Sequence, residues 1–263
     1  MLSSAQVIGR LSWGGSIGLV MAVAIAYFLA ARLSLALLEP DGVAVFWPAA
    51  GIASGLLIAL GSSVRWPVAL GVASATIAAN LLGDRSLDAS VFFALCNVGE
   101  ALIIAWLIEH HFGPGFSLDN SRRVLGFFLA TAVGTTLSGV GGAAGFVLFH
   151  SSGAPILTTW LNWFSSDAIG VITVAPLVIG VARTFDDLPQ MSELLQGSLA
   201  LGVLTLVSAI AFGAPTDNWF SILPLALIFP LLLWPAAHCR PVFAAAAAFR
   251  ERRRGVPVAE LCR

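Results

Sequence analysis

Eight stretches of this chain are apolar for long enough to cross the hydrocarbon core of a bilayer, and this restricts its fold more than any motif does. A core about 30 Å thick takes about 20 residues at 1.5 Å rise, with about 17 as the working minimum. The stretches cover residues 16–38, 43–60, 66–82, 89–109, 124–148, 156–181, 196–213 and 219–237. A spanning segment must satisfy its own backbone donors and acceptors, so each is expected to be a helix. The predicted fold is therefore all-α, a polytopic transmembrane helical bundle of about eight spans plus a truncated ninth. The first stretch is too long for the apolar region of a signal peptide and reads as a retained helix. Only residues 61–65 separate the second stretch from the third, which predicts an antiparallel helical hairpin.

Composition agrees with this. Of the 263 residues, 58% are hydrophobic and 10% charged, against about 25% charged in soluble domains. That excludes a soluble globular domain, a disordered chain and a disulfide-rich secreted scaffold. The net charge is −1 and the basic residues are scattered until the C-terminus, which argues against a nucleic-acid partner. Cys96, Cys239 and Cys262 form no C-x-x-C pair and have no histidine at ligand spacing. No metal or other cofactor is expected.

All 13 basic residues are arginines, and their placement predicts orientation. With the N-terminus inside, eleven fall in cytoplasmic segments, Arg85 alone is external, and Arg32 lies within a span. Cytoplasmic loops retain basic residues, so both termini are expected in the cytoplasm.

Ionisable groups inside spans cost about 2.5 to 3.5 kcal/mol each on insertion scales and normally face the bundle interior. Arg32, Glu100 and Asp167 stand out. Glu100 and Asp167 each lie eleven residues from the predicted external end of their spans, roughly 16 Å down. Arg32 lies six residues from its end, roughly 9 Å down. Asn97 shares a helix face with Glu100, and Trp160, Trp163 and Asp167 share another at i, i+3, i+7, with Asn162 nearby. This set is a candidate small-molecule pocket near the external mouth. The competing reading, at even weight, is an ion pair of Arg32 with Glu100 or Asp167 and tryptophans in an interfacial belt.

FWPAAG at 46–51 interrupts the second span. Pro48 lacks a backbone donor and disfavours helix at Trp47. The simpler expectation is a kink or a helix start with Pro48 in its first turn; the other is a wet cavity covering the freed backbone. Gly51 with Gly55, Ser138 with Gly142, and Gly141 with Gly145 are close-packing seams, serving either intrachain contacts or a homodimer. No catalytic residue is expected, because no histidine shares the depth of Cys96 and no nucleotide or zinc motif is present.

FWPAAGIASGLLIAL at 46–60, RWPVALGVASATIAANLL at 65–82, CNVGEALIIAWLI at 96–108 and WLNWFSSDAIGVITVAPLV at 160–178 together resemble the bacterial membrane-associated sensor domain of the first type, abbreviated MASE with the number one. The resemblance covers about residues 26–237 and is most specific around Asp167, Gly170, Ala175 and Pro176. That family usually has a second proline where Ala49 stands. The resemblance implies a non-enzymatic, multi-pass sensory input module of the bacterial inner (plasma) membrane. Its implied partners are the lipid bilayer and a cytoplasmic output domain or partner protein, such as a histidine kinase or diguanylate cyclase. It names no ligand and no site residues. Arg32, Trp47, Pro48, Asn97, Glu100, Trp160, Trp163 and Asp167 are candidates from depth and charge alone. The alternative function is a small-solute or proton-coupled transporter. The expected layout is a cytoplasmic segment at 1–15, the membrane sensor at 16–237 and a basic tail at 238–263. Within that tail, PVFAAAAAF gives way abruptly to RERRRGVPVAELCR, which reads as a truncated or frameshifted end or else as a genuine juxtamembrane basic end.

Overall fold

The computed structural model describes residues 13–35, 44, 46–149, 155–184 and 191–213. Over these the chain is helical: α1 (Trp13–Leu35), α2 (Pro48–Leu60), a 3-10 turn (Ser62–Val64), α3 (Arg65–Leu81), α4 (Leu87–Phe112), α5 (Ser121–Phe149), α6 (Ile156–Thr184) and α7 (Met191–Gly213). The chain divides into two compact units, Met1–Asp186 and Asp187–Arg263. Helices α1 to α6 belong to the first and α7 to the second.

By length and composition, α1, α4, α5 and α6 can cross a membrane. They correspond to the first, fourth, fifth and sixth predicted spans. Helix α3 has 17 residues, at the working minimum of about 17. The second predicted span is corrected. Its helix is only the 13 residues Pro48–Leu60, roughly 20 Å long. Trp47 is non-helical at φ −118° and ψ 76°, as a residue before proline prefers, and Pro48 opens the helix. The eighth predicted span, 219–237, and the interrupted run after it lie outside the described residues.

The long helices carry their largest side chains outward. Helix α1 exposes Ile17, Met21, Ile25, Leu29 and Leu33 at four-residue spacing and buries Val23, Tyr27, Ala31 and Ser34. Helix α5 exposes Leu129, Val133, Leu137 and Val140 and buries Thr131, Gly134, Thr135, Ser138 and Gly142. Water would favour the opposite arrangement. Lipid rewards it, because hydrocarbon solvates leucine as well as a protein core does, while small residues let helix backbones approach.

Helix α2 is central to the first unit, touching α1, α3, α4 and α6. Its most extensive contact is with α6, whereas α3 packs mainly on α1 and touches α2 lightly. The short link at 61–64 therefore joins the two helices without making a closely packed hairpin. Glycines explain the choice. A Cβ at Gly51 would lie 2.3 Å from the Gly170 carbonyl oxygen, and one at Gly55 would lie 2.8 Å from Val178 Cβ. On α5, a Cβ at Gly142 would fall 2.3 Å from the Trp163 ring, and one at Gly141 would fall 2.6 Å from Cys96 Sγ. All three predicted seams are filled by contacts within the chain.

At one end of the unit, Arg65 on α3 pairs with Glu109 on α4, and Arg123 pairs with Asp119. Helix α4 stops at Gly113, whose φ of 75° suits glycine and whose N–H donates to the Glu109 carbonyl. The opposite end holds the α3–α4 turn with Arg85, where Ser86 caps α4 by accepting from the Ala89 N–H.

Candidate functional site

Trp47 is where the short helix meets the long one. Its N–H donates to the Ser166 carbonyl at 3.2 Å. Its own carbonyl lies so near Gly170 that a Cβ there would sit 2.0 Å away. Ser166 and Gly170 are 10 and 14 residues into α6, roughly 15 to 21 Å along it. Helix α2 thus begins deep inside the bundle, and the interrupted backbone is met by α6. The indole Nε1 of Trp47 donates to the Tyr27 hydroxyl at 3.2 Å, tying α1 to the same point.

Beside this junction lies a cavity of ≈ 30 Å³, enough for one or two waters. Trp47, Asn80, Arg85, Asn97, Trp163 and Asp167 are among its lining residues. Arg85 donates from Nη1 to Asn80 Oδ1 at 2.9 Å, and its guanidinium lies 5.2 Å and 5.4 Å from the centroids of Phe93 and Phe146. Desolvation lowers its hold on its proton from the ordinary guanidinium range, although arginine stays charged. Asn97 Nδ2 donates to Thr76 Oγ1 at 3.4 Å, and Trp163 Nε1 donates to Ser138 Oγ at 3.2 Å.

Glu100 from α4 and Asp167 from α6 come together here, 2% and 4% exposed. Their carboxyl groups lie within interaction range of each other and of Ser138. Yet no donor reaches Glu100 Oε1, Glu100 Oε2 or Asp167 Oδ2 in bonding geometry. Unmet buried acceptors each cost about 1 to 3 kcal/mol, and more when charged. This concentration of unmet polarity is the most unusual feature of the described residues.

The predicted residues divide accordingly. Trp47, Asn97, Trp163 and Asp167 line the cavity, Glu100 meets Asp167, and Pro48 opens α2. Arg32 and Trp160 stand apart. Arg32 Nη1 donates to the Ala79 carbonyl at 3.5 Å and forms no ion pair among the described residues. Trp160 stacks on Phe164 and donates to the Thr136 carbonyl. Sequence reasoning missed Arg85, Asn80 and Tyr27. Two signals were available: Arg85 is the sole arginine predicted outside, and Tyr27 is the chain's only tyrosine.

Lipid-facing leucines, small-residue seams and a deep polar junction define an integral membrane helical bundle. The MASE1 family model matches residues 16–250, so the chain belongs to the MASE1 family of membrane-associated sensor domains. These are sensory input domains and not catalysts. No curated protein and no solved structure matches the chain.

Proposed function

We propose that this chain is the sensory input module of a bacterial signalling protein in the inner membrane, with both termini and the Arg65 end in the cytoplasm. It passes a stimulus to a cytoplasmic output domain, a kinase or a diguanylate cyclase. Family membership supports the sensory class, and the unmet pair of Glu100 and Asp167 beside the start of α2 carries the placement of the site. Two helix packings of different stability give such a module its signal, and a stimulus shifts their populations by its differential affinity. The pair joins α4 to α6 next to the tightest seam, so a change of charge or hydrogen bonding there biases the packing of α2 against α6.

The test places Glu100→Gln and Asp167→Asn in a receptor of this family that carries its output domain. Output activity is expected to change at unaltered membrane abundance. Unchanged output would remove both residues from the sensing site.

One observation favours transport as the second reading. A helix beginning deep in the membrane is typical of transporter binding sites, and α2 begins so. Purified protein in liposomes would then move solute or protons, and both variants would abolish the flux.

A further inference from the structure

We propose that Glu100 and Asp167 form a single proton-binding site, in which one proton is shared between the two carboxyl groups and exchanges through the cavity beside Asp167. The inference rests on the sensory reading above for its purpose and on geometry for its chemistry.

Hydrogen-bond accounting comes first. Carboxylates only accept, so two of them facing each other satisfy nothing, and three of their oxygens lack a donor. One proton turns one carboxyl into a donor to the other, and that single bond engages two of the oxygens. Paired carboxyl groups that share a proton are an established arrangement where like charges are forced together.

The hydroxyls nearby keep an O–H to donate, but none is placed to bond Glu100 Oε1, Glu100 Oε2 or Asp167 Oδ2. Tyr27 from α1 and Cys96 from α4 lie near enough to feel both carboxyl groups. The Tyr27 hydroxyl accepts from Trp47 Nε1. The Ser138 hydroxyl on α5 accepts from Trp163 Nε1. Thr76 on α3 accepts from Asn97, and Asn80 on α3 accepts from Arg85. Arg85 lines the cavity with Asp167, whereas Glu100 does not reach it. Glu100 instead has the Asp167 carboxyl and Ser138 within range.

Size and charge select the ligand. Small-molecule pockets are about 300 to 1,000 Å³, and this cavity is ≈ 30 Å³. A metal cation would share the space with a guanidinium. Among the described residues, no group of three or more histidine, cysteine, aspartate or glutamate side chains could hold one. A proton needs only a water in the cavity and the two oxygens. On release, the O–H bond breaks, its electron pair stays on oxygen, and the proton leaves on cavity water. Two negative charges, one on a side chain of α4 and one on a side chain of α6, then face each other and repel.

The experiment is infrared difference spectroscopy of the full chain in lipid nanodiscs during a pH titration. The expected result is a deuterium-sensitive carbonyl stretch of a protonated carboxyl group that vanishes on alkalinisation. It should be lost or displaced in both Glu100→Gln and Asp167→Asn. Circular dichroism and size-exclusion elution report whether each variant folds. If one does not, Glu100→Asp retains the carboxyl pair and should shift the band without abolishing it. A band indifferent to every folded variant, or no such band, overturns the proposal. So does a band displaced by sodium at constant pH, which would make a metal ion the occupant. A band present with unchanged receptor output leaves the proton site standing and removes its sensory role. Altered output without the band does the reverse.

Discussion

Tyr27 shows how one hydroxyl holds three helices at a point. It is fully buried on α1 and accepts from the indole of Trp47, whose backbone is bonded to α6. Tyr27→Phe removes the acceptor and leaves the Trp47 N–H buried and unmet, which costs about 1 to 3 kcal/mol. Thermal unfolding in detergent should register the loss, and Tyr27→Phe as stable as wild type would mean that water or a rearranged neighbour takes the bond. Arg85 gives the converse lesson. Its sign and loop position are plain from sequence, but its contacts with Asn80, Phe93 and Phe146 join residues from three helices. No spacing rule relates those positions.

Among elements, the contact between α2 and α6 is the most exacting. Gly170 faces the Trp47 carbonyl oxygen at a separation that admits no side chain, and backbone cannot rotate aside as a flexible side chain would. Gly170→Ala is expected to destabilise the bundle by about 1 to 3 kcal/mol or more through overpacking. Gly99 on α4 has nothing within 4 Å of a built Cβ. Gly99→Ala should be neutral or stabilising by up to about 1 kcal/mol, from helix propensity. Equal melting temperatures for the two variants would contradict the proposed tightness of the seam. Sequence reasoning found the small residues of α2 but not their partner, because a small-residue spacing states that a close approach occurs without saying to what. The same ignorance allowed the antiparallel hairpin of α2 with α3, which proximity along the chain suggests and packing makes slight.

At the scale of the molecule, the described residues expose many of their leucines and isoleucines and bury threonine, serine and glycine beside the apolar core. Its arginine asymmetry predicts sidedness. A single cysteine introduced at Ser117, near Arg123, should react with an impermeant maleimide only from the cytoplasmic side, and one at Asp84, beside Arg85, only from the periplasmic side. These labels are read in a background with Cys96, Cys239 and Cys262 replaced. The opposite pattern would invert the topology and place the cavity near the cytoplasm.

Hydropathy and length alone determined that this chain is helical and membrane-embedded, because a span must satisfy its own backbone wherever it lies. They also marked Glu100 and Asp167 as exceptional, since a charge in hydrocarbon is costly in any fold. The tertiary structure decided who meets whom. It brought Glu100 to Asp167, drew Arg85 into the cavity, left Arg32 on the Ala79 carbonyl, and started α2 deep within the bundle. Periodicity is a property of neighbours in sequence, whereas those partnerships depend on helix crossings. The crossings are set by small residues that sit more than a hundred positions apart, as Gly51 and Gly170 do.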